Sequence, residues 1–279
     1  MPEPSNFRNL PPWSGSASRG IGRATAVALA EAGASGLIVT ARTESGLIET
    51  KSMCERLAKS TQLKVTIVVG QNEAESTALH TAEIVNNEYK GRLDLLVNNA
   101  GVAYSDSTAF GKPCDVSTSD IETTINVNYV GRFLMIKHLL SIMLSGTDNT
   151  KAIINISSIG SHLSGPLGFS ISALATNRLS QRIAEAYGHE GVFCCALHPG
   201  AVFHGEKSYD LLTPERLERV KGFSKDSKSL AGAFIIWLVK EKRDWLNGRY
   251  LDATWDVDEL SLKKEEIVRD DKLKMRLLV

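Results

Sequence analysis

Apolar runs rich in Val, Ile and Leu alternate along this chain with longer segments whose apolar residues recur at helical spacing, and no other feature restricts the fold as much. Parallel strands need crossovers of a dozen or more residues, which helices supply, so strict alternation predicts a parallel sheet covered on both faces. Strands are expected at 36–40, 64–69, 93–97, 152–156, 192–197 and 248–251, with helices at 43–60, 73–90, 119–144, 169–187 and 229–240. Ser119 and Glu122 have capping-box spacing at the start of the third of these helices. A chain of 279 residues has room for one large α/β domain or two small ones, and the unbroken order of elements favours one.

The start of the chain breaks the pattern. A doubly wound sheet opens with an apolar strand feeding a glycine-rich turn, yet here Pro2, Pro4, Pro11 and Pro12 precede the turn. Proline has no N–H for a ladder and is excluded from central strands. The first strand is therefore expected to be degenerate, at best a short stub over 7–10. This divides the chain into an irregular segment over 1–14, a main domain over 15–258, and a charged tail over 259–279, expected as a surface helix.

Lys and Arg together number 32, as do Asp and Glu, so charge makes no case for nucleic acid or an acidic membrane surface. A small molecule is the expected partner. The longest strongly apolar run, 231–239, is too short to span a bilayer, and no leader pattern opens the chain, so a cytoplasmic protein is expected. Cys54, Cys114, Cys194 and Cys195 lack ligand spacing, and the adjacent pair falls in an expected strand whose successive residues face opposite ways. Buried free thiols are expected, with no metal site.

Three motifs sit at the ends of expected strands. Gly15-Ser16-Ala17-Ser18-Arg19-Gly20-Ile21-Gly22 precedes an amphipathic helix, Asn98-Asn99-Ala100-Gly101 follows the strand ending at Val97, and His198-Pro199-Gly200-Ala201-Val202 follows the strand ending at Leu197. Glycines let a backbone turn tightly and approach a pyrophosphate, which the amide groups and positive dipole end of the next helix then hold. With Ala152-Ile153-Ile154-Asn155-Ile156-Ser157-Ser158 and the helix after it, these motifs make the chain, from about Gly15 to Asp258, resemble the short-chain dehydrogenase/reductase family. The run 248–260 resembles the end of fungal members, many of which act in secondary metabolism.

That resemblance implies an α/β, Rossmann-like doubly wound parallel sheet in a single domain, an NADP(H) or NAD(H) cofactor, and a homodimer or homotetramer. Gly15, Ser16, Ser18, Arg19, Gly20, Ile21 and Gly22 would form the cofactor turn, with Ser16 in place of the family's first glycine. If Ser16 needs a positive φ, it carries roughly 1 to 3 kcal/mol of strain. After Val39-Thr40-Ala41, Arg42 stands where an acid would accept from an adenosine 2′-hydroxyl. With Arg19 it favours a 2′-phosphate, hence NADP(H). Gln71 would lie near the adenine, Asn99, Ala100 and Gly101 near the adenine ribose, and Pro199, Gly200 and Val202 beside the nicotinamide. His204 takes the place of a threonine that often bonds the carboxamide.

The same resemblance implies a catalytic tyrosine, a lysine four residues on, a serine and an asparagine. Asn128 matches the asparagine. Ser158 is favoured for the serine, with Ser157 close behind. Arg132, one turn beyond Asn128, is expected to face the cofactor or a subunit contact. Phe169 and Ala173 occupy the tyrosine and lysine positions, so the positioned acid is gone. Tyr104, His162, His204 and Tyr209 are candidates for a relocated acid, the last two within 203–228, a polar segment expected to be mobile. Three readings stay open: an NADPH-dependent ketoreductase with a degenerate site, a non-redox pocket enzyme such as a cyclase or isomerase, and a non-catalytic family member.

Overall fold

All seven strands are parallel and lie in the order β3-β2-β1-β4-β5-β6-β7 in this computed structural model, which describes residues 13–147, 149–205 and 209–277. The strands are β1 (Trp13–Ser16), β2 (Gly36–Ala41), β3 (Lys64–Val69), β4 (Leu95–Asn98), β5 (Ala152–Ile156), β6 (Phe193–His198) and β7 (Tyr250–Asp252). Strand order runs outward in opposite senses from β1 and from β4, which opens a crevice at their carboxyl ends.

The first strand exists, but further along the chain than its prolines suggested. Gly15 and Ser16, expected in the turn, belong to β1 and pair with Val39 and Thr40, while Trp13 and Ser14 also pair with Leu95 and Leu96. The strand is short, four residues, and central. Ser16 is therefore extended and the strain anticipated for it does not arise; the left-handed residue is Gly20, with φ +59°. Residues 7–10 lie outside the described residues.

Alternation along the strands builds two cores. Leu37, Val39, Leu95, Val97, Ile154 and Cys195 face α1 (Gly20–Glu31), α2 (Glu44–Leu57) and α8 (Leu230–Lys240). Ile38, Leu96, Ile153 and Cys194 face α3 (Glu75–Glu88), α5 (Gly131–Ser145) and α6 (Leu167–Tyr187). Cys194 and Cys195 thus point to opposite sides as free thiols; Cys54 is buried too, whereas Cys114 is exposed, contrary to expectation.

α4 (Thr118–Ile125) runs through one π-helical turn, Asn126–Val130, into α5. Its cap is Ser117, whose hydroxyl accepts from the Asp120 N–H at 3.0 Å, two residues before the expected Ser119. The widened turn displaces carbonyls from their ordinary partners. Asn72 fills the gap by donating to Val127 O at 2.9 Å, and Gly131 makes room, since a Cβ there would lie 2.7 Å from Asn72 O. Thr118–Ser145 is long and apolar enough to cross a membrane by length and composition, longer than the run judged from sequence. However, 56% of its most apolar window is buried inside the protein, as in a core helix.

The charged tail is not a single surface helix. It forms α9 (Val257–Leu262) and α10 (Lys264–Arg269), with α7 (Pro214–Phe223) earlier in the polar segment, and it buries Leu260 and Ile267 in the main core. Beyond α10, Leu273 O accepts from the Tyr250 N–H at 2.8 Å, which covers the edge strand.

Candidate active site

The site gathers at the carboxyl ends of β1, β4, β5 and β6. At β1 the turn after Ser16 leads into α1, whose N-terminus has no side-chain cap and no acid in its first turn. Free amides and the helix dipole there suit an anion. Arg23 braces the turn from behind: Nε donates to Thr50 Oγ1 at 3.0 Å, Nη2 donates to both Ser18 O and Gly46 O, and Nη1 meets Glu49 at 2.7 Å. Thr50 in turn donates to Ala17 O at 2.7 Å. Arg19 and Arg42 are both exposed on this side. A helix terminus of this kind fits the diphosphate of a dinucleotide.

Other expected contacts shift. Gln71 is exposed, and its neighbour Asn72 is the residue turned inward. Ile21 and Val202 are buried against Ala231, so their side chains pack the first turn of α1 and the loop after β6 onto α8 rather than face a ligand. Pro199 and Gly200 are buried as well. Gly200 has φ +89°, and a Cβ on it would sit 2.9 Å from Asp226 Oδ2, which already accepts from the Ala201 N–H at 2.6 Å. His204 stands over the glycine turn, its Nδ1 3.3 Å from where a Cβ on Gly20 would be.

At β5 the two serines separate. Ser157 is buried, its hydroxyl donating to Asn177 Oδ1 at 2.6 Å and lying 3.3 Å from Ala173 O. Ser158 is only half-buried; its Oγ accepts from the Gly160 N–H at 3.0 Å, and its proton has no acceptor among the described residues. A hydroxyl of this kind can still donate to a substrate oxygen, which Ser157 cannot do while Asn177 holds its proton. Phe169, on α6, brings its ring edge to the same place: a Cβ on Gly160 would lie 3.2 Å from Phe169 Cε1 and 3.3 Å from Ser158 Oγ. The ring stands beside the serine without an acidic group. Ala173, one turn on, is 3% exposed.

Asn128 is buried and saturated. Its Oδ1 accepts from the Val102 N–H at 2.8 Å, and its Nδ2 donates to Val102 O at 2.9 Å and Ser172 Oγ at 3.0 Å. It clamps the loop after Gly101 to α6. Arg132 extends this ladder, donating from Nη1 to Thr176 Oγ1 at 2.7 Å and from Nη2 to Ala100 O at 3.2 Å. Behind them Asn98 donates to Asn155 at 2.8 Å and Asn155 to Ser180 at 2.9 Å. Sequence reasoning missed Ser172, Thr176 and Ser180, although their i, i+4 spacing traces a polar stripe down an otherwise core-facing helix.

Tyr104, Tyr209 and His204 are poorly suited to replace the acid. Burial raises the pKa of Tyr104, with Tyr209 and Asp210 adding to it, and burial also raises that of Tyr209. A phenol pushed upward is a poorer acid near neutral pH. The two rings belong to an aromatic wall in which Tyr104 tilts on Phe110 at 5.2 Å and Tyr209 stacks on Phe203 at 5.3 Å. His162 packs edge-on against Tyr250 at 4.8 Å. Burial lowers the pKa of His204, helped by Arg19 and Lys228, so it is a neutral imidazole at pH 7.

Residues 15–205 match the short chain dehydrogenase family. The chain belongs to the short-chain dehydrogenases. It is 34% identical over 273 residues to the short chain dehydrogenase pgmD of Aspergillus terreus, covering 94% of this chain and 85% of that one. It is 38% identical over 274 residues to the short chain dehydrogenase mpl6 of Monascus purpureus, covering 94% and 87%. These are fungal proteins, as the run 248–260 had suggested. Among solved structures, levodione reductase superposes with a TM-score of 0.76 at 22% identity, covering 88% of this chain and 95% of that chain, which bears on the fold alone.

Histidine chemistry gives this short-chain dehydrogenase a pH dependence. His198 is 8% exposed, with no partner for Nδ1. Burial lowers its pKa from the ordinary 6.5, against the raising influence of Asp252 and Asp226. A histidine with a lowered folded pKa contributes stability that is complete above 6.5 and is lost as pH falls through the folded value, because the unfolded chain takes up the proton first. Urea midpoints are expected to fall as pH drops below 6.5 and to fall less steeply in His198→Gln; parallel slopes would refute the assignment.

Proposed function

We propose that the protein is an NADP(H)-dependent oxidoreductase acting on a carbonyl or alcohol of a small molecule, a secondary-metabolite intermediate, through a degenerate active site. The observation that carries this reading is the pairing of Ser158 and Phe169 about Gly160, at the carboxyl end of the sheet where the open N-terminus of α1 also lies. Bound NADPH supplies hydride. Ser158 donates a hydrogen bond to the substrate oxygen and orients the carbonyl, and solvent supplies the proton that completes the alcohol. Phe169 walls one side of the carbonyl and excludes water there but offers no proton, so the charge developing on oxygen is met by Ser158 and solvent alone. Loss of a positioned acid costs about 10² to 10⁴ in rate, so slow turnover is the consequence.

Arg19 and Arg42 support the 2′-phosphate assignment. Arg42→Ala is expected to weaken NADPH binding by about tenfold while leaving NADH unchanged, as read by fluorescence titration. No binding by the unaltered protein near millimolar NADPH would remove the redox reading altogether. A second reading, a non-redox pocket enzyme or an inactive family member, draws on Phe169 and Ala173 and on the raised pKa values of Tyr104 and Tyr209 and the lowered one of His204, all moved away from the range of an acid at neutral pH. Cofactor binding without turnover on any carbonyl would favour it.

The reading places the protein in the cytoplasm as a homodimer or homotetramer. Exposed Phe133 on α5 and Ile171 and Leu174 on α6 support self-association, and light scattering reads the mass.

A further inference from the structure

Arg132 is an arginine whose charge nothing in the described residues balances. It is 5% exposed. The other buried arginine, Arg249, meets Asp271 at 3.1 Å, and the buried Asp94 meets Arg92 at 2.9 Å. Arg132 meets only a hydroxyl and a carbonyl, Thr176 Oγ1 and Ala100 O, and its Nε has no partner. Burial moves its pKa down to about 10, which still leaves it cationic at neutral pH. An isolated charge out of water is costly, and replacing it by an apolar group of similar volume is often neutral or stabilising. A structural prop for α5 and α6 would not need the charge.

The charge lies close to the cleft. Nη2 is 3.7 Å from the point where a Cβ on Gly101 would sit, and Gly101 is exposed. One layer of side-chain-free backbone therefore separates the guanidinium from anything resting on the Ala100–Gly101 turn. The arginine also reaches α6 at Thr176, within one turn of Ala173, so a cation projecting from position 173 would share its surroundings.

We infer that Arg132 is the buried cation of this cleft: it holds positive potential beneath Ala100–Gly101, favours a dinucleotide with a neutral nicotinamide ring over one with a cationic ring, and takes the electrostatic place of the ammonium that Ala173 lacks. It is a positioning residue, since backbone stands between it and the ligand. The inference rests on the cofactor reading above.

The test compares Kd for NADPH and NADP⁺ in the unaltered protein, Arg132→Met and Arg132→Lys, alongside thermal melts without nucleotide. The unaltered protein is expected to prefer NADPH by about tenfold, and Arg132→Met to bring the ratio near one without lowering Tm. Arg132→Lys keeps the charge and the preference. An unchanged ratio in Arg132→Met overturns the inference, as does equal loss of both ligands in both variants with a lower Tm, the behaviour of a prop. A nucleotide-free cycle separates this result from the cofactor reading. Ala173→Lys is expected to raise the unfolding constant about tenfold more in the presence of Arg132 than in Arg132→Met, through like-charge repulsion. Equal effects in the two backgrounds overturn it. If the unaltered protein binds neither nucleotide, the cofactor reading fails, and this cycle alone decides whether Arg132 occupies the electrostatic place of a cation at 173.

Discussion

Phe169→Tyr is expected to raise NADPH-dependent carbonyl reduction by about 10²- to 10⁴-fold, the contribution of a positioned general acid. The substitution adds one hydroxyl to a ring already seated beside Ser158 over Gly160, on a helix whose backbone needs no change. The family pattern adds a lysine at 173, yet Ala173→Lys on top of Phe169→Tyr is expected to add little. The new ammonium would enter a buried position that Arg132 already makes positive, and the double variant should melt below Phe169→Tyr alone. Steady-state NADPH oxidation over a panel of ketones and aldehydes measures the gain. Zero turnover in both variants with NADPH demonstrably bound would remove the degenerate-reductase reading and leave the non-redox one.

Asn155→Leu is expected to cost about 2 to 4 kcal/mol of stability, read from urea unfolding midpoints. Asn155 is fully buried in β5, where it accepts from Asn98 on β4 and donates to Ser180 on α6. Leucine has nearly the same shape, so the loss is one of polar partners: the Asn98 amide keeps its buried N–H group with nothing to receive it, and Ser180 loses a donor. The double variant Asn98→Leu with Asn155→Leu should cost less than the sum of the two singles, because neither leaves the other's amide stranded. Strict additivity would show that the two side chains do not act as a unit.

Much of the fold was legible in the chain because alternation is a local property. β3 and β5 fall at 64–69 and 152–156 as expected, the other four expected strands and four of the five expected helices shift by a few residues at an end, and the helix expected over 119–144 is α4 and α5 joined through the π-helical turn. The errors arose where local and tertiary demands diverged. Prolines argued against a first strand, but two neighbours, β2 and β4, stabilise Trp13–Ser16 from both sides, and the strand took residues that looked like turn. The tail looked like a surface helix by its charge, yet Leu260 and Ile267 were free to reach the core because the chain turns between α9 and α10.

The site divides in the same manner. Gly20 and Asn98 could be picked out because each sits at a helix start or a strand end that sequence marks, and Asn128 because it matches the family pattern. The choice between Ser157 and Ser158 could not be made that way, since adjacent residues share every local cue; it turned on Asn177, which takes the Ser157 proton and leaves that of Ser158 free. By itself the sequence determined the parallel α/β sheet and the glycine turn, and it set Phe169 and Ala173 where the family pattern has tyrosine and lysine, for these are written in residue identity and period. Only the tertiary structure decided that Asn128 meets Ser172 and that Arg132 meets Thr176, partners 44 residues apart in each case. Whether a buried charge is balanced depends on what packing brings beside it, and that is a property of the folded chain.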